Sequence, residues 1–225
     1  MIAAIIGARV GSKSIPDKNM ALLGGKPLLV WAIEAANTVR SIQHIFVSSD
    51  SKDYLDVASH YGAIPITRPP ALARDESGDF EWVSDLASKI KEPQTFVLLR
   101  PTTPIRGASH ILGAIAHLKL TSEATGLRSV HVMPESAWKC GEVQRGFLVP
   151  LVRGRDMNQP RQMYPPTFKP NGYVDVIKRE TIEAGSLYGD RVLAYITDPA
   201  VEVDSIEELE FLRWKVQGQK GESHG

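Results

Sequence analysis

The chain opens Met1-Ile-Ala-Ala-Ile-Ile-Gly-Ala-Arg-Val-Gly-Ser-Lys-Ser-Ile-Pro-Asp-Lys-Asn19, and this stretch decides the fold. Residues Ile2 to Ile6 form a short uninterrupted apolar run, the pattern of a strand buried on both faces of a parallel sheet. The run ends at Gly7, and a loop follows that gathers Arg9, Gly11, Ser12, Lys13, Lys18 and Asn19. Glycine and serine let the backbone approach phosphate oxygens and offer N–H donors. The three cations neutralise the charge that develops on a leaving phosphate. The spacing is neither G-x-x-x-x-G-K-[ST] nor G-x-G-x-x-G, so the loop is not a P-loop and a dinucleotide cofactor is disfavoured. An exposed basic loop is the bland alternative. It accounts less well for three cations and two glycines in one connection.

Beyond the loop, apolar strands alternate with helical patterns. Helices are expected at about 27–38, from residue 51 to about 60, and at about 79–90 and 108–120; strands are expected at 44–48, 64–66 and 95–99. Asp50 or Ser51 supplies a cap for the second helix. This βαβα rhythm predicts a doubly wound, mostly parallel α/β sheet. From about 128 to 170 the chain turns rich in proline, arginine and aromatics, which predicts a small β-rich insertion with strand pieces near 129–133 and 147–149. The α/β pattern resumes with strands at 173–177 and 192–196 and a last helix at 205–216, and a polar tail from 217 to 225 is expected to fray. The whole reads as one domain, 1–225, carrying the insertion.

Composition bounds the function. With 225 residues and 43% apolar content the chain can build a full core. Lys plus Arg and Asp plus Glu both number 26, a balance that disfavours a nucleic-acid polymer as partner. The single cysteine, Cys140, rules out an internal disulfide and a cysteine-based zinc site. The N-terminal apolar run is too short for a signal peptide, and no run approaches a membrane span, so a cytoplasmic location without membrane attachment is expected.

In open α/β sheets ligands bind beyond the carboxyl ends of strands. Polar clusters fall at such ends: residues 9–19, 48–51 and 100–104, with Asp175 inside a later strand. Glu202 and Asp204 are two apart, so on an extended segment they share a face. As hard oxygen donors they suit a divalent metal, although Asp204-Ser-Ile-Glu207 also outlines a capping box.

The run Ala8-Arg-Val-Gly-Ser-Lys-Ser-Ile-Pro-Asp-Lys-Asn19 resembles the signature A-R-x-x-S-K-x-x-x-x-K-N of the acylneuraminate cytidylyltransferases, the CMP-sialic acid synthetase family. The resemblance continues in order through Val47-Ser-Ser-Asp50, Arg68-Pro-Pro-Ala-Leu-Ala73, Leu98-Leu-Arg-Pro-Thr-Thr-Pro-Ile-Arg106, Pro160-Arg-Gln162, Pro170-Asn-Gly172 and Val201-Glu-Val-Asp204. It implies a reaction in which the anomeric hydroxyl of a nonulosonic acid attacks the α-phosphate of CTP, with Mg²⁺, giving CMP-sugar and pyrophosphate. It also implies residue roles. Arg9, Lys13 and Lys18 would be catalytic. Ala8, Arg9, Gly11, Ser12, Lys13 and Asn19 would hold the nucleotide, and Arg68 would reach the cytosine. Glu202 and Asp204 would hold the metal. Arg100, Arg161, Gln162, Asn171 and Tyr173 would face the sugar. A homodimer formed through the insertion is implied as well, with Arg153, Arg155 or Arg161 reaching the neighbouring subunit's sugar site.

The chain departs from the family's pattern in places. Arg100 stands where glutamine is usual, Glu202 where aspartate is usual, Asp175 where tyrosine is frequent, and Asp79 where serine is frequent; Tyr173 replaces a small residue. Arg100 is compatible with a different sugar, such as a diamino or an unsubstituted nonulosonate. Two alternatives stay open: a nucleotidyltransferase for Kdo or a sugar 1-phosphate, and a nucleotide-binding regulator without chemistry.

Overall fold

The computed structural model describes residues 1–154 and 156–222. Its centre is a seven-stranded sheet in the order β11-β7-β10-β6-β1-β4-β5. The elements follow in chain order: β1 (Ile2–Gly7), β2 (Leu22–Leu23), β3 (Lys26–Pro27), α1 (Leu28–Asn37), β4 (His44–Ser49), α2 (Lys52–His60), β5 (Ile64–Thr67), α3 (Asp79–Lys89), β6 (Thr95–Leu98), α4 (Ala108–Leu120), β7 (Gly126–Val132), β8 (Gly141–Gln144), β9 (Phe147–Pro150), β10 (Phe168–Lys178), α5 (Arg179–Glu183), β11 (Val192–Ile196) and α6 (Ile206–Glu222). All pairings in the main sheet are parallel except those of β10, which runs against both β6 and β7.

The opening run is central because it is apolar on both faces. Ala4 and Ile6 pack on one side with residues of α1, α2 and α4. Ala3 and Ile5 pack on the other with Trp82, Val83 and Leu86 of α3. Each buried Leu or Ile side chain contributes roughly 1.5–3 kcal/mol by leaving water, so a strand sealed on both sides anchors whatever loop leaves its end. A third cluster joins Ile15, Leu23 and Leu28 to Val203, Leu209 and Leu212, and so ties the loop after β1 to the segment that leads into α6.

Strand and helix positions follow the sequence expectations through α4. Differences begin where β10 enters. It starts at Phe168 and lies antiparallel between β6 and β7, and its pairing shifts register between Pro170 and Asp175. The excursion expected over about 128–170 therefore begins and ends inside the main sheet: Phe168 pairs with Val132 and Pro170 with Val130. The part that leaves the sheet is shorter, and its regular core is the β8–β9 hairpin. The short helix α5 follows β10 directly. The last helix does not stop at 216 but continues through Glu222. Val216, at the expected stop, is buried in the third cluster. Positions 223–225 of the expected tail lie outside the described residues. Among the described residues, no helix is long and apolar enough to cross a membrane.

Candidate active site

A cleft of about 560 Å³ opens at the carboxyl ends of β1, β5 and β6. It brings together Arg9, Ser12, Lys13, Lys18, Asn19, Arg68, Arg100, Glu202 and Asp204 from the expected set. Asp75, Asp79, Trp82 and Thr102 also line it.

The loop after β1 is fixed by its own polar atoms. Asn19 Nδ2 donates to the Arg9 carbonyl at 2.9 Å, and Val10 N–H donates to Asp50 Oδ1 at 3.0 Å. Asp17 takes a left-handed conformation and accepts a hydrogen bond from the Tyr54 hydroxyl. Gly11, with φ of 82°, sits at an open turn. Ala8 faces the core; its side chain is fully buried and its N–H donates to the Ser48 carbonyl.

The cations are already paired. Arg9 Nη1 lies 2.9 Å from Asp75 Oδ1, and Lys13 Nζ lies 2.6 Å from Asp75 Oδ2. Hydrogen bonds from Lys13 and Arg9 hold the Asp75 carboxyl below its usual range. Lys18 Nζ donates to the Val203 carbonyl at 3.0 Å and to Asp204 Oδ1 at 3.1 Å, joining the loop to the metal-candidate segment. Asp204 does not cap α6. Ser205 does: its Oγ accepts from Glu208 N–H, while Glu208 Oε2 accepts from the N–H groups of Asp204 and Ser205. The capping box is displaced by one residue from the sequence outline, which leaves the Asp204 carboxylate facing the cleft. Burial, and then the neighbouring Asp204 charge, raise the Glu202 carboxyl above its ordinary value.

Arg68 is buried at one end of the cleft. Its Nε and Nη2 donate to Ser48 Oγ and to the Ser48 carbonyl, and its guanidinium stacks 4.7 Å from the Trp82 ring. Burial lowers its pKa to about 10. Gly7 makes the close approach possible, since a Cβ there would come within 2.9 Å of both Arg68 and Trp82. Trp82 thus both packs in the core and walls the cleft.

Arg100 sits at the other end between two carboxylates. Nη2 pairs with Asp79 Oδ2, and Nη1 with Asp175 Oδ2 at 2.9 Å. Burial works against its charge, but Asp79 and Asp175 outweigh it and hold the guanidinium above its ordinary pKa. Asp175 neither joins the metal candidates nor meets solvent. It is fully buried and accepts from the Tyr188 hydroxyl at 2.7 Å and from Ser129 N–H.

Four expected sugar-facing residues lie elsewhere in the chain. Arg161 and Gln162 line a second, smaller depression with Met133, Ser136 and Tyr164. Asn171 is buried and donates to Thr197 Oγ1, because the register shift in β10 turns it toward the end of β11. Tyr173 packs edge-on against His110, 4.7 Å between ring centroids. Arg155 lies outside the described residues. Asp75 carried no sequence signal beyond its place after the Arg68 motif; Asp79 stood out only as a departure from a familiar pattern.

A cytidylyltransferase family model matches residues 3–146. The N-acylneuraminate cytidylyltransferase of Streptococcus agalactiae serotype III (strain NEM316) is 31% identical over 194 residues, 85% of this chain and 47% of that protein. The CMP-N,N'-diacetyllegionaminic acid synthase of Legionella pneumophila is 35% identical over 201 residues, 84% of this chain and 83% of that protein. The chain thus spans about half the length of the streptococcal relative and most of the Legionella one. A solved CMP:2-keto-3-deoxy-manno-octonic acid synthetase complexed with CTP has a TM-score of 0.75 at 15% identity, covering 97% of this chain and 99% of that one; this likeness shows the fold.

Proposed function

The chain belongs to the cytidylyltransferase family, and on that premise we propose that it joins the CMP group of CTP to the anomeric hydroxyl of a sialic-acid-like nonulosonic acid, releasing pyrophosphate. The observation that carries this reading is the convergence of Arg9, Lys13 and Lys18 on one cleft with Arg68, Glu202 and Asp204. The anomeric hydroxyl oxygen attacks the α-phosphorus and gives up its proton to solvent, while the bond to the bridging oxygen breaks and its electron pair leaves on pyrophosphate. Catalysis of this kind rests on positioning and charge stabilisation. Arg9, Lys13 and Lys18 neutralise the leaving group, and they exchange Asp75 and Asp204 for phosphate oxygens as the substrate enters. Arg68, held by Ser48 through Nε and Nη2, keeps Nη1 for the acceptor atoms of the base.

Glu202 and Asp204 form a hard-oxygen donor set; burial first and then the Asp204 charge raise Glu202, and a bound cation would offset that repulsion. Two carboxylates completed by substrate phosphates suit Mg²⁺. When bound, Mg²⁺ supplies Lewis-acid neutralisation of phosphate oxygens.

The sugar class is supported by the names of the streptococcal and Legionella relatives. Arg100 serves the acceptor end, while Asn171 and Tyr173 brace the strand behind it. Arg161 and Gln162 ride on the excursion, whose Val143, Phe147, Leu148 and Met163 are between 65% and 75% exposed. Such a patch fits a homodimer interface that carries Arg161 toward a neighbouring cleft. A CTP-consuming reaction of this type is assigned to the cytoplasm.

Pyrophosphate release measured with each of the four nucleoside triphosphates and several nonulosonic acids tests the reading. Release with CTP and a nonulosonic acid is expected. Release only with a sugar 1-phosphate, or none with any pair, would overturn it.

A further inference from the structure

A continuous string of polar contacts crosses the carboxyl edge of the sheet. It runs from Ser48 on β4 to Arg68, from Arg68 to Trp82, from Trp82 to Asp79, from Asp79 to Arg100, and from Arg100 to Asp175 on β10. Asp79 is its midpoint. As the first residue of α3, it lies one helical turn before Trp82, so Oδ1 accepts from the indole Nε1 at 3.0 Å. Its second oxygen takes Arg100 from the segment after β6. One carboxylate therefore holds both the wall beside Arg68 and the guanidinium at the opposite end of the cleft. Asp79 lines the cleft and touches both halves of the string.

Burying charges is costly, and the arrangement survives because each is opposed: Asp79 and Asp175 flank Arg100, and Arg128 approaches Asp175 at 3.8 Å while stacking on Tyr188. An arginine clamped from both sides has little rotamer freedom left to lose, so it presents the cleft with a fixed guanidinium at low entropic cost. Without Asp79 it would be held from one side only, by Asp175, and the Trp82 indole would lose its acceptor.

Resting on the nucleotidyl-transfer reading above, we propose that Asp79 is a positioning residue that couples the two subsites: it sets Arg100 for the sugar acceptor and registers that guanidinium against the Arg68–Trp82 wall on the nucleotide side. Binding at one subsite then tightens binding at the other, because whatever orders Trp82 also orders Asp79 and through it Arg100.

Initial-rate kinetics on wild type, Asp79→Asn and Asp79→Ala, with CTP and N-acetylneuraminic or N,N'-diacetyllegionaminic acid varied in turn, test this. Loss of a charge-assisted hydrogen bond predicts an acceptor KM raised about tenfold or more in both variants. The Kd of CTP alone, followed by tryptophan emission, should move by less than about threefold in Asp79→Asn, whose shape is conserved. In wild type the KM for CTP falls as the acceptor saturates, and in the variants that dependence disappears. Adding Arg100→Lys to Asp79→Asn should raise the acceptor KM little further, since both changes disturb one positioned group. An acceptor KM unchanged in both variants, or a lowered kcat and melting temperature with KM and coupling intact, would overturn the proposal while leaving nucleotidyl transfer standing. If Asp79→Ala fails to fold, the isosteric Asp79→Asn decides alone. Absence of turnover in wild type overturns the functional reading and this coupling with it.

Discussion

The proposed nucleotide end of the cleft draws Arg9, Lys13, Lys18 and Asn19 from one loop, whereas the proposed acceptor end draws Asp79, Arg100, Asp175 and Tyr188 from separate segments. The first end is local: a strand sealed on both faces fixes where its loop begins, and short internal hydrogen bonds fix its course. The second end exists only once β6, β10 and α3 have docked. On the proposed reading, local construction places the charges that face the phosphates, and distributed construction lets single exchanges, such as glutamine for Arg100, retune the acceptor end.

The largest effect that sharpens this contrast is expected at the local end. Lys18→Ala or Arg9→Ala should lower kcat by about 100-fold or more, as removal of a preorganised charge from a leaving group does. The fold should survive Arg9→Ala with little change in melting temperature. Arg9 is more than a third exposed, and such an ion pair is worth at most about 1 kcal/mol. Near-normal turnover in both variants would break the assignment of the loop.

A smaller and differently shaped effect is expected at the excursion. Replacing Phe147 and Leu148 by Glu should shift a dimer to monomer in sedimentation, because both side chains are largely exposed in the single chain and charge there opposes association. If Arg161 serves a neighbouring cleft, the acceptor KM should rise by about tenfold or less while CTP affinity holds. A monomer with the acceptor KM of wild type would show that the acceptor end is complete within one chain.

The same contrast explains what the sequence disclosed. The loop was legible because strand, glycine, cations and asparagine are contiguous, and the cleft gathers Arg9, Lys13, Lys18 and Asn19 as that contiguity requires. Glu202 and Asp204 were legible through period-two spacing, although the cap of α6 proved to be Ser205 with Glu208, a shift that spacing alone cannot register. Asn171 and Tyr173 do not line the cleft; they fall in the register shift of β10, which no local pattern announces. The partners of Arg100 were invisible for the same reason: Asp175 meets Arg100 because β10 pairs with β6 at Asp175↔Leu98. Asp75 looks like a loop residue until the fold sets it against two cations.

The proposed chemistry of the loop after β1 is attack on the α-phosphorus with pyrophosphate leaving. Reaction with CTP labelled either at the α- or at the γ-phosphorus tests it most directly. The expected result is α-label in the sugar product and γ-label in pyrophosphate, in equal amounts. Gamma-label recovered as a phosphorylated sugar or as inorganic phosphate, with CDP formed alongside, would contradict it.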